Sequence, residues 1–365
     1  MLVLTLTYPA TIVARNGPAP SGREQEPMAF EKAETVAVRA PGSLDGLLRL
    51  AEADMAGVNA FIAQRMQSPV AIIPALADHL INAGGKRLRP LVTIAGARLA
   101  GATDIACQKL AAAVEFIHTA TLLHDDVVDG SSLRRGKVAA HLIWGASQSV
   151  LVGDYLFARA FELIVEASSI KALEILARAS RVIAEGEVLQ LVRSHDLGLT
   201  QETYIQIISS KTAELFAAAA EAGAVSAGVA GDKCEALREY GLNLGLAFQL
   251  ADDALDYGGV TESLGKNAGD DFREGKVTLP LLLAIQRTGE RETAFWERTI
   301  ARREQVEDDF RRARELIGGT GALDATLDLA ADYALRAKAA LTAFPRSDWR
   351  EALEALADFA VSRRT

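Results

Sequence analysis

From about Ser43 onward, apolar residues return every three or four positions in one segment after another. That period constrains the fold more than any single residue does. It predicts helices over approximately 44–67, 71–83, 88–100, 104–129, 146–167, 170–192, 201–229, 232–257, 277–288, 291–316, 323–341 and 349–362. Gly, Pro, Asp or Ser stands at the breaks, where helix ends require them. No stretch in this part alternates convincingly with a strand's two-residue period, and no fixed-length repeat is present. The sequence therefore reads as all-α, a single large helical bundle around a central cavity, occupying 41–365. Half of the 365 residues are hydrophobic and only 6% aromatic, so Ala, Leu, Val and Ile must fill the core. Such small side chains suit helices packed closely together.

Residues 1–40 read differently. Leu2–Tyr8 alternates like a strand, but Pro9 and the Pro/Gly/Ser/Glu-rich stretch behind it cannot continue one. No Lys or Arg precedes Arg15, so the basic start of a secretory signal is missing. The segment is read as a disordered extension, with Met28 a second candidate start. A net charge of −9 and a pI near 5.3 argue against a nucleic-acid footprint. Cys107 and Cys234 alone make no disulfide framework, and a reducing cytosol is the default compartment. No apolar run reaches the roughly 20 residues that span a bilayer.

One interruption stands out. Between Tyr257 and Thr278 lies GGVTESLGKNAGDDFREGKV, glycine-rich and without a helical stripe. Loops this long inside a bundle are usually functional or disordered. With Lys266, Asp270, Asp271, Arg273 and Lys276, this one has the composition of a flap that closes over an anion.

The segment LLHDDVVDGSSLRRG sets Asp125, Asp126 and Asp129 in an otherwise apolar helix. Residues four apart share a helix face, roughly 5–6 Å between Cβ atoms, so Asp125 and Asp129 project side by side. Buried carboxylates this close repel unless a cation joins them. Hard oxygen donors suit Mg²⁺, which keeps waters and is shared with substrate phosphates. FQLADDALD repeats the pattern with Asp252, Asp253 and Asp256. In a chain with 22 Asp, two such triplets by chance are rare. Two acidic faces across a bundle cavity would form a multi-metal cup. The Glu-x-x-His spacing of di-iron bundles is missing. His124 points about 100° away from Asp125 around the helix and reads as a packed core histidine. Asp324, Asp328 and Asp332 share a face too, but without basic partners they read as a solvated surface.

The chain also offers cations suited to diphosphate. GGKRLRP places Lys86, Arg87 and Arg89 in a glycine-opened loop just before a helix, and Arg134 and Arg135 follow the first aspartate motif. Arg forms forked contacts with phosphate, Lys a point charge, and helix N-terminal amides add to the attraction.

With these motifs together, the sequence resembles the trans-isoprenyl (polyprenyl) diphosphate synthases, closest to the octaprenyl and decaprenyl enzymes. The matches are GGKRLRP, HDDVVDGSSLRRG, FQLADDALD, Lys211-Thr212 in SSKTAEL, and GKNAGDDFREGKVTLP. They cover residues 45–362 in order and spacing. The resemblance implies the isoprenoid synthase type of bundle, two or three Mg²⁺ ions, and an allylic diphosphate primer extended by isopentenyl diphosphate. It implies that Lys86, Arg89, His118 and Arg135 hold the isopentenyl diphosphate. Arg134, Lys211, Thr212, Gln249 and Lys266 would hold the allylic diphosphate. Asp125, Asp129 and Asp252 would ligate the metal, with Asp126, Asp253 and Asp256 as ligands or supporting groups. The catalytic set is then Asp125, Asp126, Asp129, Lys211, Thr212, Asp252 and Asp253. Diphosphate leaves the allylic C1, the isopentenyl double bond attacks the cation, and the departed diphosphate takes the proton from C2.

The helix ending at Asp129 also reads as a ruler. A turn rises 5.4 Å, roughly one extended isoprene unit. Short-chain members of the family carry a large aromatic four or five positions before the first aspartate; here Ala120 and Thr121 stand there, with Ile117 a turn further back. The open floor implies a long-chain product, and EFIHTATLLHDDVVD resembles the synthases that make quinone side chains. A geranylgeranyl-type synthase is the shorter-chain alternative. A class I terpene cyclase would lack GGKRLRP, and a non-catalytic regulatory subunit would tend to lose aspartates. The resemblance further implies a homodimer, cytoplasmic and peripheral to the membrane for product release.

Overall fold

A computed structural model of the chain describes residues 43–81, 85–134, 136–258 and 269–362. The extension over 1–40, Arg135 and Lys266 lie outside the described residues. The predicted segments, together with a short helix α5 that the periodicity did not predict, appear as α1 (Asp45–Arg65), α2 (Ile72–Ile81), α3 (Leu88–Leu99), α4 (Ala106–Val128), α5 (Ala140–Trp144), α6 (Ala146–Glu166), α7 (Ile170–Val192) and α8 (Gln201–Ile208). They continue as α9 (Glu214–Ser226), α10 (Asp232–Gly258), α11 (Asp270–Glu274), α12 (Leu279–Thr288), α13 (Thr293–Trp296), α14 (Asp309–Gly319), α15 (Ala322–Ala340) and α16 (Asp348–Ser362). The sequence sets several of these starts: Ser169 and Thr200 accept the N–H of Ala172 and Thr203, capping α7 and α8. All the described residues fall within one compact unit.

α9 lies at the centre. Its residues from Glu214 to Ala224 are buried on every side, as a helix enclosed by others must be. Alanine and glycine let the neighbours approach. A Cβ on Gly223 would stand 2.3 Å from the Thr93 carbonyl of α3, and one on Gly241 2.3 Å from the Phe216 carbonyl of α9. One apolar core joins α3, α4, α6, α7, α9 and α10. A second, holding Phe272, Leu279, Trp296 and Ile317, backs the other end of α10. No helix among the described residues is long and apolar enough to cross a membrane.

Further details differ from the helical reading. The segment 201–229 is not one helix: Ser209–Ala213 forms a π-helical turn between α8 and α9. The segment 291–316 breaks into α13, a π turn at Glu297–Ala301, and α14. There the Asp309 carboxylate takes both Arg298 guanidinium nitrogens, at 2.8 and 2.7 Å, and the Val306 N–H, closing a turn with side-chain bonds. A two-residue antiparallel hairpin, Leu133–Arg134 with Lys137–Val138, follows the first aspartate motif. The 257–278 interruption contains the short helix α11.

Candidate active site

The cavity, about 460 Å³, opens between α4, α7, α8, α10 and the segment 270–278. α4 ends where the motif needs it to. Gly130 takes a left-handed conformation (φ 64°), and the Ser131 N–H closes back on the Asp126 carbonyl at 3.1 Å. Asp125 and Asp129 therefore project from the last turn into the cavity, with Asp252, Asp253 and Asp256 of α10 also on its wall.

Lys211 lies 3.7 Å from Asp125 and 2.8 Å from Glu187 of α7. Lys276 lies 3.0 Å from Asp129 and 2.6 Å from Glu274. Asp126 is fully buried and takes both Nε (2.8 Å) and Nη2 of Arg134, which the hairpin turns back toward α4; its second oxygen has no hydrogen-bond partner among the described residues. Asp253 is buried as well: Tyr204 OH donates to one oxygen and Gln249 Nε2 to the other at 2.7 Å. Thr212 Oγ1 donates to the side-chain Oε1 of Gln249 at 2.9 Å, so α8, the π turn and α10 share one chain of hydrogen bonds.

Burial pushes the carboxyls of Asp125, Glu187 and Asp256 above their ordinary values, with Lys211 opposing the shift at Asp125 and Glu187. Asp253 is pushed up to about 7 by the same desolvation. Burial works against the charge of Lys276, but Asp129 and Glu274 outweigh it and hold the ammonium more firmly protonated than usual. Arg134 behaves likewise under Asp126.

The walls fit a hard divalent ion carried with an anion. Among the lining residues, eight carboxylates face five Lys and Arg, an excess that divalent cations would neutralise. Among the described residues no three acidic, His or Cys groups converge as a preformed cage.

Arg89 and His118 meet on the same cavity, 3.2 Å apart, with the Arg89 guanidinium 4.3 Å above the Phe216 ring. Arg87, just before them, is held at φ 45° and bonds Asn59. Lys86 is exposed, 4.2 Å from the Phe359 ring, and is not on the cavity wall. Of the ruler residues, Thr121 lines the cavity beside Leu122, whereas Ala120 and Ile117 are buried and do not. His124 is half-buried rather than in the core, turned onto α6 with Nε2 3.1 Å from the Val150 carbonyl. Asp324, Asp328 and Asp332 are exposed, as read.

The site residues that escaped the sequence reading include Glu187, Tyr204 and Arg193. The available hint was Gly186 within a helix, a position that usually marks a close approach. A Cβ there would stand 2.6 Å from Ser210 Cβ and 3.0 Å from Lys211 N, so glycine admits the π turn.

Residues 70–317 match the model of the polyprenyl synthetase family. The chain belongs to that family. It is 45% identical over 321 residues to the octaprenyl diphosphate synthase of Escherichia coli, covering 88% of this chain and 99% of that one. The crystal structure of a polyprenyl synthase from Caulobacter crescentus, complexed with calcium and isoprenyl diphosphate, is 80% identical with a TM-score of 0.87, covering 90% of this chain and all of that one. A decaprenyl diphosphate synthase from Rhodobacter capsulatus is 49% identical with a TM-score of 0.85, over 88% of this chain and all of that one. The all-α bundle is thus the isoprenoid synthase fold, and the chain is a prenyltransferase, a long-chain trans-polyprenyl diphosphate synthase of a family that uses divalent metal.

Proposed function

We propose that the enzyme adds isopentenyl diphosphate units to an allylic diphosphate until the product has eight to ten units, as in the octaprenyl and decaprenyl synthases it resembles, for a quinone side chain. The observation that carries this is the convergence of both aspartate motifs, Lys211 and Lys276 on one cavity whose wall also includes Thr121, Leu122, Ile183 and Phe248. Asp125, Asp129 and Asp252 would hold two or three Mg²⁺ ions, which when bound supply Lewis-acid stabilisation to the departing diphosphate.

The chain's own residues account for the rest. Arg134 and Lys211 bring fixed positive charge to the allylic diphosphate, with Lys266 completing the set. Lys276, already on Asp129, adds a third described cation there. Arg89 and His118 would form the platform for the isopentenyl diphosphate, and the resemblance would add Lys86 and Arg135 to them. Leu122, Ile183, Ile207, Ile208 and Phe248 exclude water from the allylic cation. Gln249 holds the Thr212 hydroxyl in place near its charge. The proton from C2 passes to the departed diphosphate, so no buried nucleophile is needed.

Residues 41–365 form the catalytic unit, preceded by the 1–40 extension, and act as a homodimer in the cytoplasm, meeting the membrane surface to release product. Support for the dimer comes from α6, where exposed Leu151, Ala158, Phe161 and Val165 share one face. Exposed Asp154 interrupts that face, so the dimer rests chiefly on the family resemblance.

The test is incorporation of labelled isopentenyl diphosphate by the purified chain, with geranyl or farnesyl diphosphate as primer, followed by dephosphorylation and chromatography. Extension to about eight to ten units, abolished by EDTA and restored by Mg²⁺, is expected. A cyclic product, or no incorporation by the lone chain, refutes the reading.

A further inference from the structure

Both oxygens of the Asp256 carboxylate are taken up by the backbone of another segment. Oδ1 accepts the N–H of Gly269 at 3.1 Å and of Asp270 at 3.3 Å; Oδ2 accepts that of Asp271 at 3.1 Å. Gly269 N–H also reaches the Asp256 carbonyl at 3.0 Å. From these amides the chain makes a single turn of helix, and the Lys276 N–H closes onto the Asp271 carbonyl at 2.8 Å. The Lys276 ammonium then reaches Asp129, on the opposite acidic motif.

The segment is held elsewhere too. A ring nitrogen of His195 pairs with the Gly275 carbonyl at 3.0 Å, and Gly275, at φ 71°, leaves no room for a Cβ against that ring. Behind, Phe272 is buried against Phe310, and Gln305 donates to its carbonyl. The position of Lys276 is therefore set from three sides, and Asp256 is the one that ties it to the second aspartate motif.

We propose that Asp256 is a positioning residue rather than a metal ligand: its carboxylate anchors residues 269–271 and so places Lys276 on the first aspartate motif. Asp256 and the side chains of Asp270 and Asp271 are like charges brought together, and the three N–H groups offset that repulsion. Turning Asp256 toward an ion would strip those amides of their acceptor and release the start of α11. Asp253 is committed in the same way, to Tyr204 and Gln249, and the resemblance makes Asp252 the metal ligand of DDALD. The proposal rests on the synthase reading above.

The experiment compares the full chain with Asp256→Ala, Asp256→Asn and Asp252→Asn. Backbone hydrogen exchange over 269–277 is followed by mass spectrometry without metal or substrate, alongside the Mg²⁺ activation constant and the allylic KM. Asp256→Ala is expected to speed exchange about tenfold or more and raise the allylic KM about tenfold, with Mg²⁺ activation within about twofold of wild type. Asp256→Asn, keeping one carbonyl acceptor, falls between, and Asp252→Asn weakens Mg²⁺ activation with exchange unchanged. Should Asp256→Ala fail to fold, His195→Ala and Asp256→Asn must show the same pairing of faster exchange with undiminished metal affinity. Unchanged exchange over 269–277, or a loss of Mg²⁺ affinity matching that of Asp252→Asn, overturns the proposal. Absence of incorporation by the wild type would instead overturn the synthase reading, while the exchange arm still reports on the anchor.

Discussion

Replacing Thr121 with Phe tests the ruler where the structure places it. Thr121 precedes Asp125 by four residues, which at 1.5 Å each is about 6 Å along α4, or roughly one isoprene unit. The side chain lines the cavity next to Leu122, so a phenyl ring there stands in the path of a tail whose head is held at Asp125. The tail would meet the ring after one or two units and could gain little by bending aside. Main product is expected to fall to no more than about four units, with isopentenyl incorporation otherwise retained. Among the described residues the bond lost is Thr121 Oγ1 to the His118 carbonyl, 2.8 Å, worth about 1 kcal/mol, so the fold survives. Chromatography of dephosphorylated products reads the length. Unchanged length at normal turnover refutes the argument for this helix. Ala120→Phe, the other substitution the sequence suggests, is a poorer probe. Ala120 is wholly buried and off the cavity wall, so Phe there overpacks the core at a cost of about 1–3 kcal/mol.

Lys276→Met removes the ammonium facing Asp129, and kcat is expected to fall about 10²-fold, as for other fixed charges at a departing anion, read by steady-state incorporation. Gly186→Ala forces its new methyl against Ser210 and Lys211 N and displaces the π turn. Turnover should drop about tenfold while circular dichroism stays native. Asp54 is held below the ordinary carboxylate range by its hydrogen bond from Arg98, so its contribution is complete above the unfolded pKa near 4 and is lost as pH falls through the lower folded value. Urea unfolding should accordingly show Asp54→Ala destabilised by about 2–3 kcal/mol at pH 7 and by progressively less below pH 4.

The helices and the aspartate pairs were legible because both rest on periodicity: 3.6 residues for the buried stripes, four for carboxylates on one face. Where structure departs from period, sequence carried little. The π turn at Ser209–Ala213 spans five residues, too few for a changed period to register, yet it presents Lys211 and Thr212. Glu187 sits on a helix with ordinary charged neighbours and gains meaning only because Gly186 lets Lys211 approach from a different segment. The hairpin after Asp129 has two residues per strand, below any alternation signal. Ala120 and Thr121 are adjacent and similar in size, but a rotation of about 100° per residue puts one on the cavity and the other in the core.

The glycine and alanine contacts of α9 with α3 and α10 leave those backbones nothing between them that could compress or shift. A lengthening tail cannot be housed by prising that seam apart, because one added methyl at Gly223 or Gly241 already meets a carbonyl oxygen. Room for a larger product has to come from the opposite flank, along α4, α6 and α7. Natural variants with altered product size should therefore carry their changes on that flank and keep the seam's small residues untouched.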